Sequence, residues 1–278
     1  MEPHPASWRF ELFGEFKIRR GNDALGEFPS RMTKALLAYL ALNSERWHTR
    51  DELVDLIWPD ACVDAGRHRL SQALSWLRLQ LNQRGDHGAI VCTNRTTIGL
   101  NPELVSTDVA DFTSALCAAD NAKNECDKVT ALSRAVECYR GNLLTHNYQD
   151  WVLLERRNLE SAYLDALRRL AAHYEQENQW DKALDCIRRT IRVDPLDEDA
   201  HCDLIRLLVQ SGQNAAAWRQ FRDLEYILAI QLGVKPSPAT LALVEPVYPG
   251  NRAAVVLATP ACRADTAAAF TETQYSIG

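Results

Sequence analysis

Residues 65–102 hold Arg67, Arg69, Arg78, Arg84 and Arg95, opposed only by Asp86. Guanidinium groups are planar forks of N–H donors that match phosphate oxygens and the guanine edge, so a local field of this sign suits a polyanion. Interleaved with the arginines are His68, Ser71, Gln72 and Ser75, side chains that exchange hydrogen bonds with base edges. At about 100° per residue, and centred on Leu70, Leu74 and Leu77, the stretch reads as a helix whose outward arc holds His68, Gln72, Ser75, Trp76 and Leu79. Arg69, Ser71 and Arg78 fall at its edges. A helix entering the major groove reads bases mainly through its N-terminal half, which makes His68, Arg69, Ser71, Gln72 and Ser75 the candidate base contacts. Arg67, Arg78 and Arg95 suit phosphate contacts, and Arg95 is placed to reach a minor groove. Trp76 is expected to pack against the preceding helix or loop, with contact to a partner protein as the alternative.

Other chemistries find little footing. The seven histidines (4, 48, 68, 87, 146, 173, 201) form no H-E-x-x-H, no G-x-S-x-G elbow occurs, and no carboxylate pair stands out among the helix-surface acids. The eight cysteines (62, 92, 117, 126, 138, 186, 202, 262) include no C-x-x-C pair, so reduced, mostly buried thiols are expected rather than a metal site or a disulfide framework. No enzyme activity, cofactor or metal is expected. Glu2, Arg9 and Glu11 precede any apolar run, and no uncharged stretch approaches the ~20 residues of a membrane span; the reading is a cytoplasmic protein without membrane association. The net charge of −6 opposes a nucleic-acid partner only when averaged: residues 1–104 hold 13 basic and 13 acidic side chains, whereas residues 105–278 hold 18 and 24.

The elements that must carry these residues follow from periodicity. Trp8, Phe10, Leu12 and then Phe16, Ile18 alternate with polar residues around Gly14, ahead of a turn at Gly21-Asn22-Asp23, which predicts short antiparallel strands. Met32–Leu42 spaces Leu36, Leu37 and Leu40 as a helix. Thr49 and Glu52 form a capping box for a second short helix with Leu53, Leu56 and Ile57 inward, stopped by Pro59. Asp64 is the expected N-cap of the third helix, which runs to about Asn82. Ala89–Thr93 and Thr96–Leu100 then read as a hairpin turning at Asn94-Arg95. Strands, three helices and a hairpin make a winged helix.

Beyond Pro102 and Thr107-Asp108 the pattern is helical to about Val247. Leu170, Tyr174, Asn178 and Ala183 recur 34 residues later as Leu204, Leu208, Gly212 and Ala217, the period and layout of a tetratricopeptide repeat. Asp194-Pro195 closes the first copy. The concave surface of such repeats suits peptides or helices, and Arg168, Arg169, His173, His201 and Arg206 could line it; Trp151 and Trp180 read as core or repeat-interface residues. The sequence shows no dedicated small-molecule pocket. Pro249–Gly278, rich in Ala and Thr, is expected to be a loosely ordered tail. The reading is mainly α with a small β component: a winged helix-turn-helix at 1–104, a tetratricopeptide-like domain at 105–248 and the tail at 249–278.

Both halves together resemble the bacterial activators of the antibiotic regulatory protein (SARP) family, which join an OmpR-type winged helix to a bacterial transcriptional activator domain. The residues carrying the resemblance are Lys34–Leu42, Leu53 with Leu56-Ile57-Trp58-Pro59-Asp60, and Leu70–Arg78. In the second half they are Tyr139–Leu144, Trp151 with Glu155-Arg156, Asp194-Pro195-Leu196, and Leu232-Gly233 leading to Pro236-Ser237-Pro238. The resemblance implies an activator that binds double-stranded promoter DNA at tandem direct repeats, self-associates on it and contacts RNA polymerase holoenzyme. The segment Pro59–Val63 corresponds to the one that touches polymerase. Relatives often carry Asn-Asn at His68-Arg69, and Arg at Ser71 and Trp76, so no operator sequence is carried over. Some relatives continue into an ATPase domain, but no G-x-x-x-x-G-K-[ST] loop occurs in this chain. The alternative reading is an interaction scaffold whose winged helix no longer binds DNA, which the neutral balance of residues 1–104 would suit. A sensor of a small ligand or phosphopeptide through the repeats is compatible with either.

Overall fold

The structure, a computed structural model, describes residues 8–21, 23–24, 27–82 and 88–245. Asn22 of the expected turn, Arg84, Asp86 and the expected tail at 249–278 lie outside these residues.

The first strands, β1 (Trp8–Glu11) and β2 (Lys17–Arg20), pair antiparallel with Phe10 opposite Ile18, and β3 (Asp23–Ala24) extends the sheet beyond β2. Trp8, Phe10 and Ile18 are buried on its inner face, as their alternation requires. Three helices follow. α1 (Arg31–Leu42) is capped by Ser30, whose hydroxyl accepts from the Thr33 N–H at 3.1 Å. α2 (Arg50–Ile57) starts with the expected capping box of Thr49 and Glu52. It buries Leu53, Val54 and Ile57; Val54 takes the inward place expected of Leu56, because α3 crosses on that side. α3 (Val63–Leu81) begins two residues earlier than expected, with Cys62 at the cap and no side-chain capping bond, and Asp64 instead lies in its first turn, a favourable place for negative charge. The wing is a second sheet ordered β4 (His48–Thr49), β6 (Thr97–Leu100), β5 (Val91–Thr93), so both hairpin strands are shorter than their sequence pattern. Asn82 ties the end of α3 to it, its side-chain oxygen accepting from the N–H groups of Ile90 (2.9 Å) and Val91 (3.1 Å).

One strand comes from beyond the expected domain boundary at 104/105. β7 (Val105–Thr107) runs parallel to β1, with Phe10 opposite Thr107, and completes a four-stranded sheet ordered β3, β2, β1, β7. Its last residue caps α4 (Asp108–Asp120), which packs against α5 (Glu125–Cys138). Phe13 then enters an aromatic cluster, 5.6 Å edge-on to Phe112 and 4.7 Å from Tyr139, which stacks on Tyr163 at 4.1 Å. Tyr163 lies on α6 (Asp150–Gln176), followed by α7 (Trp180–Val193).

The chain divides into two compact units, Met1–Thr190 and Ile191–Gly278. The first therefore runs across the expected boundary at 104/105. In the second, α8 (Glu198–Gln210) and α9 (Asn214–Gln231) form a helical pair on which α10 (Pro238–Val244) packs. The two junctions that the 34-residue period aligns share one hydrogen-bond pattern. After α6, the N–H groups of Asn178 and Gln179 donate to the carbonyls of Glu175 (3.0 Å) and Tyr174 (2.8 Å); after α8, Gly212 and Gln213 donate to Val209 (3.0 Å) and Leu208 (2.8 Å). Asn178 and Gly212 both hold positive φ, 55° and 76°, the left-handed turn that ends a helix with a six-to-one bond. The fold is thus mainly α with a small β component, a winged helix-turn-helix followed by tetratricopeptide-like helices. No helix among the described residues is long and apolar enough to cross a membrane. The cysteines are not mostly buried: Cys62, Cys117 and Cys126 are exposed, Cys92, Cys138 and Cys202 partly so, and Cys186 alone of those described is buried.

Candidate nucleic-acid interface

α3 buries Leu70, Ala73, Leu74, Leu77 and Leu81 and turns His68, Arg69, Ser71, Gln72 and Ser75 to solvent. The five candidate base contacts therefore share one exposed face. Their hydrogen bonding is already partly arranged. Ser71 and Ser75 donate their hydroxyls to the carbonyls one turn back, Arg67 and Ser71, each at 2.9 Å, which leaves the oxygens as acceptors. The Gln72 amide nitrogen lies 3.0 Å from Nε2 of His68. Donating there, it keeps a second N–H and its carbonyl oxygen for another partner.

The expected phosphate contacts differ in freedom. Arg95 is exposed in the hairpin turn of the wing, where the Asn94 carboxamide oxygen accepts from the N–H groups of Thr96 (2.9 Å) and Thr97 (2.6 Å) and fixes the loop. Arg78 donates to the Thr93 hydroxyl on β5, bridging α3 and the wing. Arg67 pairs with Asp51 of α2 at 3.0 Å; both side chains are more than half exposed, so water weakens the pair and a phosphate can compete for the guanidinium. Arg69 lines a shallow cleft of about 660 Å³ with Trp58, Asp60, Gln72 and Trp76.

Trp76 is structural. Its half-buried ring lies 5.3 Å from Phe28, which leads through Phe16 (5.9 Å) to Phe10 (6.3 Å) and the sheet. The ring thus packs on the segment before α1, where the helix or loop preceding α3 was expected. Leu79, one turn on, is 52% exposed. In the segment Pro59–Val63, Pro59, Asp60, Cys62 and Val63 face solvent while Trp58 before them is buried.

Two positioning residues carry no signal of chemistry in the sequence. Gly66 lies on the first turn of α3 where it crosses α2, and a Cβ there would stand 2.3 Å from Val54 Cγ1. A glycine, unfavourable inside a helix, is what lets the two helices meet at this spacing. Gln149, at the start of α6, donates its amide to the Ile57 carbonyl at the end of α2 (3.2 Å), while Trp151 sits edge-on to Tyr39 of α1 at 5.1 Å. The helical region thus holds the two helices that present α3. Trp151 belongs to a core between these elements.

Of the residues expected to line a concave repeat surface, His201 does not: it is 1% exposed, with Nε2 donating to the Pro195 carbonyl (3.1 Å) and Nδ1 accepting from Gln220 (2.8 Å). Burial lowers its pKa and keeps the ring neutral. Arg169 is engaged by Asp120 (2.9 Å) and Asp165 (3.7 Å), His173 lies 3.7 Å from Glu125, and Arg206 pairs with Asp203 at 3.1 Å. Trp180 is half-buried and Arg168 exposed.

Comparison with known proteins agrees with this architecture. The model of the bacterial transcriptional activator domain matches residues 107–247. The regulatory protein AfsR of Streptomyces coelicolor is 26% identical over 274 residues, covering 96% of this chain, and its Streptomyces griseus counterpart is 26% identical over 264 residues, covering 91%. The chain spans about a quarter of the length of these curated relatives, 27% and 25%. Among solved structures, Mycobacterium tuberculosis EmbR in complex with a low-affinity phosphopeptide superposes with a TM-score of 0.63 at 21% identity, over 86% of this chain and 64% of that one.

Proposed function

The chain belongs to the bacterial transcriptional activator domain family, and from that premise we propose that it is a sequence-specific activator that reads promoter DNA with α3. The observation that carries the reading is the exposed face of α3, where His68, Arg69, Ser71, Gln72 and Ser75 project from a helix whose other side is buried, with Arg78 and Arg95 beside them. α3 enters the major groove, Arg67 and Arg78 take phosphates, and Arg95 on the wing reaches phosphate or the minor groove. Two protomers bind tandem direct repeats, and Pro59–Val63, a solvent-facing segment beside α3, meets RNA polymerase. No catalytic step is assigned to the chain.

The test is Gln72→Ala. Gln72 retains a donor and an acceptor after contacting His68, the pair an adenine edge requires. The substitution is expected to cost about 1–3 kcal/mol at one base position and to leave affinity for random DNA nearly unchanged. Equal losses on specific and random DNA would remove Gln72 from base reading.

The balance of 13 basic and 13 acidic side chains in residues 1–104 favours a second reading, an interaction scaffold. Retention on heparin and on nonspecific DNA across a salt gradient separates the two, since a scaffold elutes at the lowest salt.

A further inference from the structure

A cleft of about 490 Å³ opens where the turn between β1 and β2, the first turns of α1 and the segment joining α5 to α6 meet. Its size is within the range of about 300–1,000 Å³ typical of small-molecule sites. The inner wall is apolar: Phe16, Ala38 and Leu144 are buried there, and Met32 and Tyr148 continue the apolar surface to the mouth. Arg31 and Lys34 stand on successive turns of α1 at the rim. Arg31 reaches the His146 carbonyl only at 3.4 Å, and the Lys34 ammonium lies 5.9 Å from the centre of the Phe16 ring. Glu15, the one carboxylate lining the cleft, faces His146 at 3.9 Å. Two cations over an apolar wall complement a molecule with an anionic head and an apolar body.

We propose that this cleft is an effector site for an amphipathic organic anion, and that its occupancy is transmitted to α3. The connection is short. Gln149, which lines the cleft, is the residue whose amide holds the Ile57 carbonyl at the end of α2, and α2 packs on α3. The wall from Leu144 to Gln149 is braced from behind by Arg156, whose guanidinium donates to the carbonyls of Leu143, Leu144 and Asn147 at 2.9–3.1 Å. Leu144 itself holds a φ of 47°, an unfavoured conformation for a branched side chain. An occupant pressing on a braced wall shifts its free end, where Gln149 meets α2. The site stands on the cleft alone; its effect on DNA rests on the function proposed above.

The full chain is titrated with 1-anilinonaphthalene-8-sulfonate, an aromatic anion that fluoresces when its ring leaves water. Saturable one-site binding is expected, displaced by decanoate and not by inorganic phosphate. Arg31→Glu and Lys34→Glu, both at exposed positions, should each weaken binding about tenfold, and Thr145→Trp, which fills the mouth, should remove it. Lys123→Glu, which does not line the cleft, should leave it unchanged. Absent or unsaturable binding, equal displacement by phosphate, or equal affinity across all variants would overturn the site. Decanoate should also change DNA affinity in a gel shift at least threefold; DNA binding that ignores decanoate while the probe binds would overturn the transmission. Loss of all DNA binding with the probe still bound would instead count against the proposed function.

Discussion

At Gly66 a methyl group meets Val54 Cγ1 at 2.3 Å, and the neighbour is a branched, buried side chain that cannot swing away. Gly66→Ala should therefore destabilise the protein by about 1–3 kcal/mol through overpacking, although alanine favours a helix by about 1 kcal/mol over glycine. It should also weaken DNA binding by displacing α3. Adding Val54→Ala should restore binding, and thermal melts with gel shifts of the single and double variants check it. Arg95 predicts a different signature. Held in the wing by the Asn94 turn, it is expected to contact a phosphate, so Arg95→Ala should lower the slope of log K against log salt by about 0.9. An unchanged slope would take Arg95 out of the interface. Residues that act through their own type, such as the Thr49–Glu52 capping box, were legible in the sequence. Gly66 was not, because a glycine in a helical pattern reads as a cost until the facing helix is known.

At the scale of elements, β7 shows what periodicity misses. Three residues are too few to alternate visibly, and a parallel partner nearly a hundred residues away leaves no local signal. Asp108 completes that junction: its buried carboxylate accepts from the N–H groups of Leu12 (2.8 Å) and Phe13 (3.0 Å), while burial pushes its pKa up. A fragment ending at residue 104 would lose this strand and this carboxylate, so DNA-binding tests belong on the longer chain. The 34-residue repeat was legible because both copies end their first helix in the same left-handed turn. On sequence alone His201 could line the repeat surface, yet it is buried; a buried and an exposed histidine look alike in sequence. Its burial carries a pH dependence. Burial pushes the Glu198 carboxyl up, but hydrogen bonds from Thr240 and Ser237 outweigh it and leave the group below its ordinary 4.5, and His201 lies below its ordinary 6.5. Both groups bind protons more readily unfolded, so their contribution is full above pH 6.5, falls first through His201 and falls again below 4.5 through Glu198. Hydrogen exchange of α8 should quicken from pH 7 to pH 5, and His201→Gln should flatten that change. Exchange with no pH dependence beyond the intrinsic rate would contradict the assignment.

For the whole molecule, one recognition helix and one wing cover about one turn of duplex at most, too little to select a promoter among a genome of competing sites. Under the proposed function, at least two protomers are therefore expected on each site. Residues 1–104 show no heptad zipper, and the SARP resemblance implies tandem direct repeats, so under the proposed function neighbours are expected head to tail rather than as a palindromic pair. The outward face of α3 was legible from its leucine stripe, whereas the support α1 and α2 take from Gln149 and Trp151 was not, since contacts between distant elements follow from packing alone. The measurement that tests the account most directly is capture of genomic DNA by the full chain, followed by footprinting of the enriched sites. Two same-orientation half-sites about one helical turn apart, with preference altered by Gln72→Ala, are the result it predicts. Capture without an enriched sequence, or preference indifferent to the outward face of α3, would contradict it.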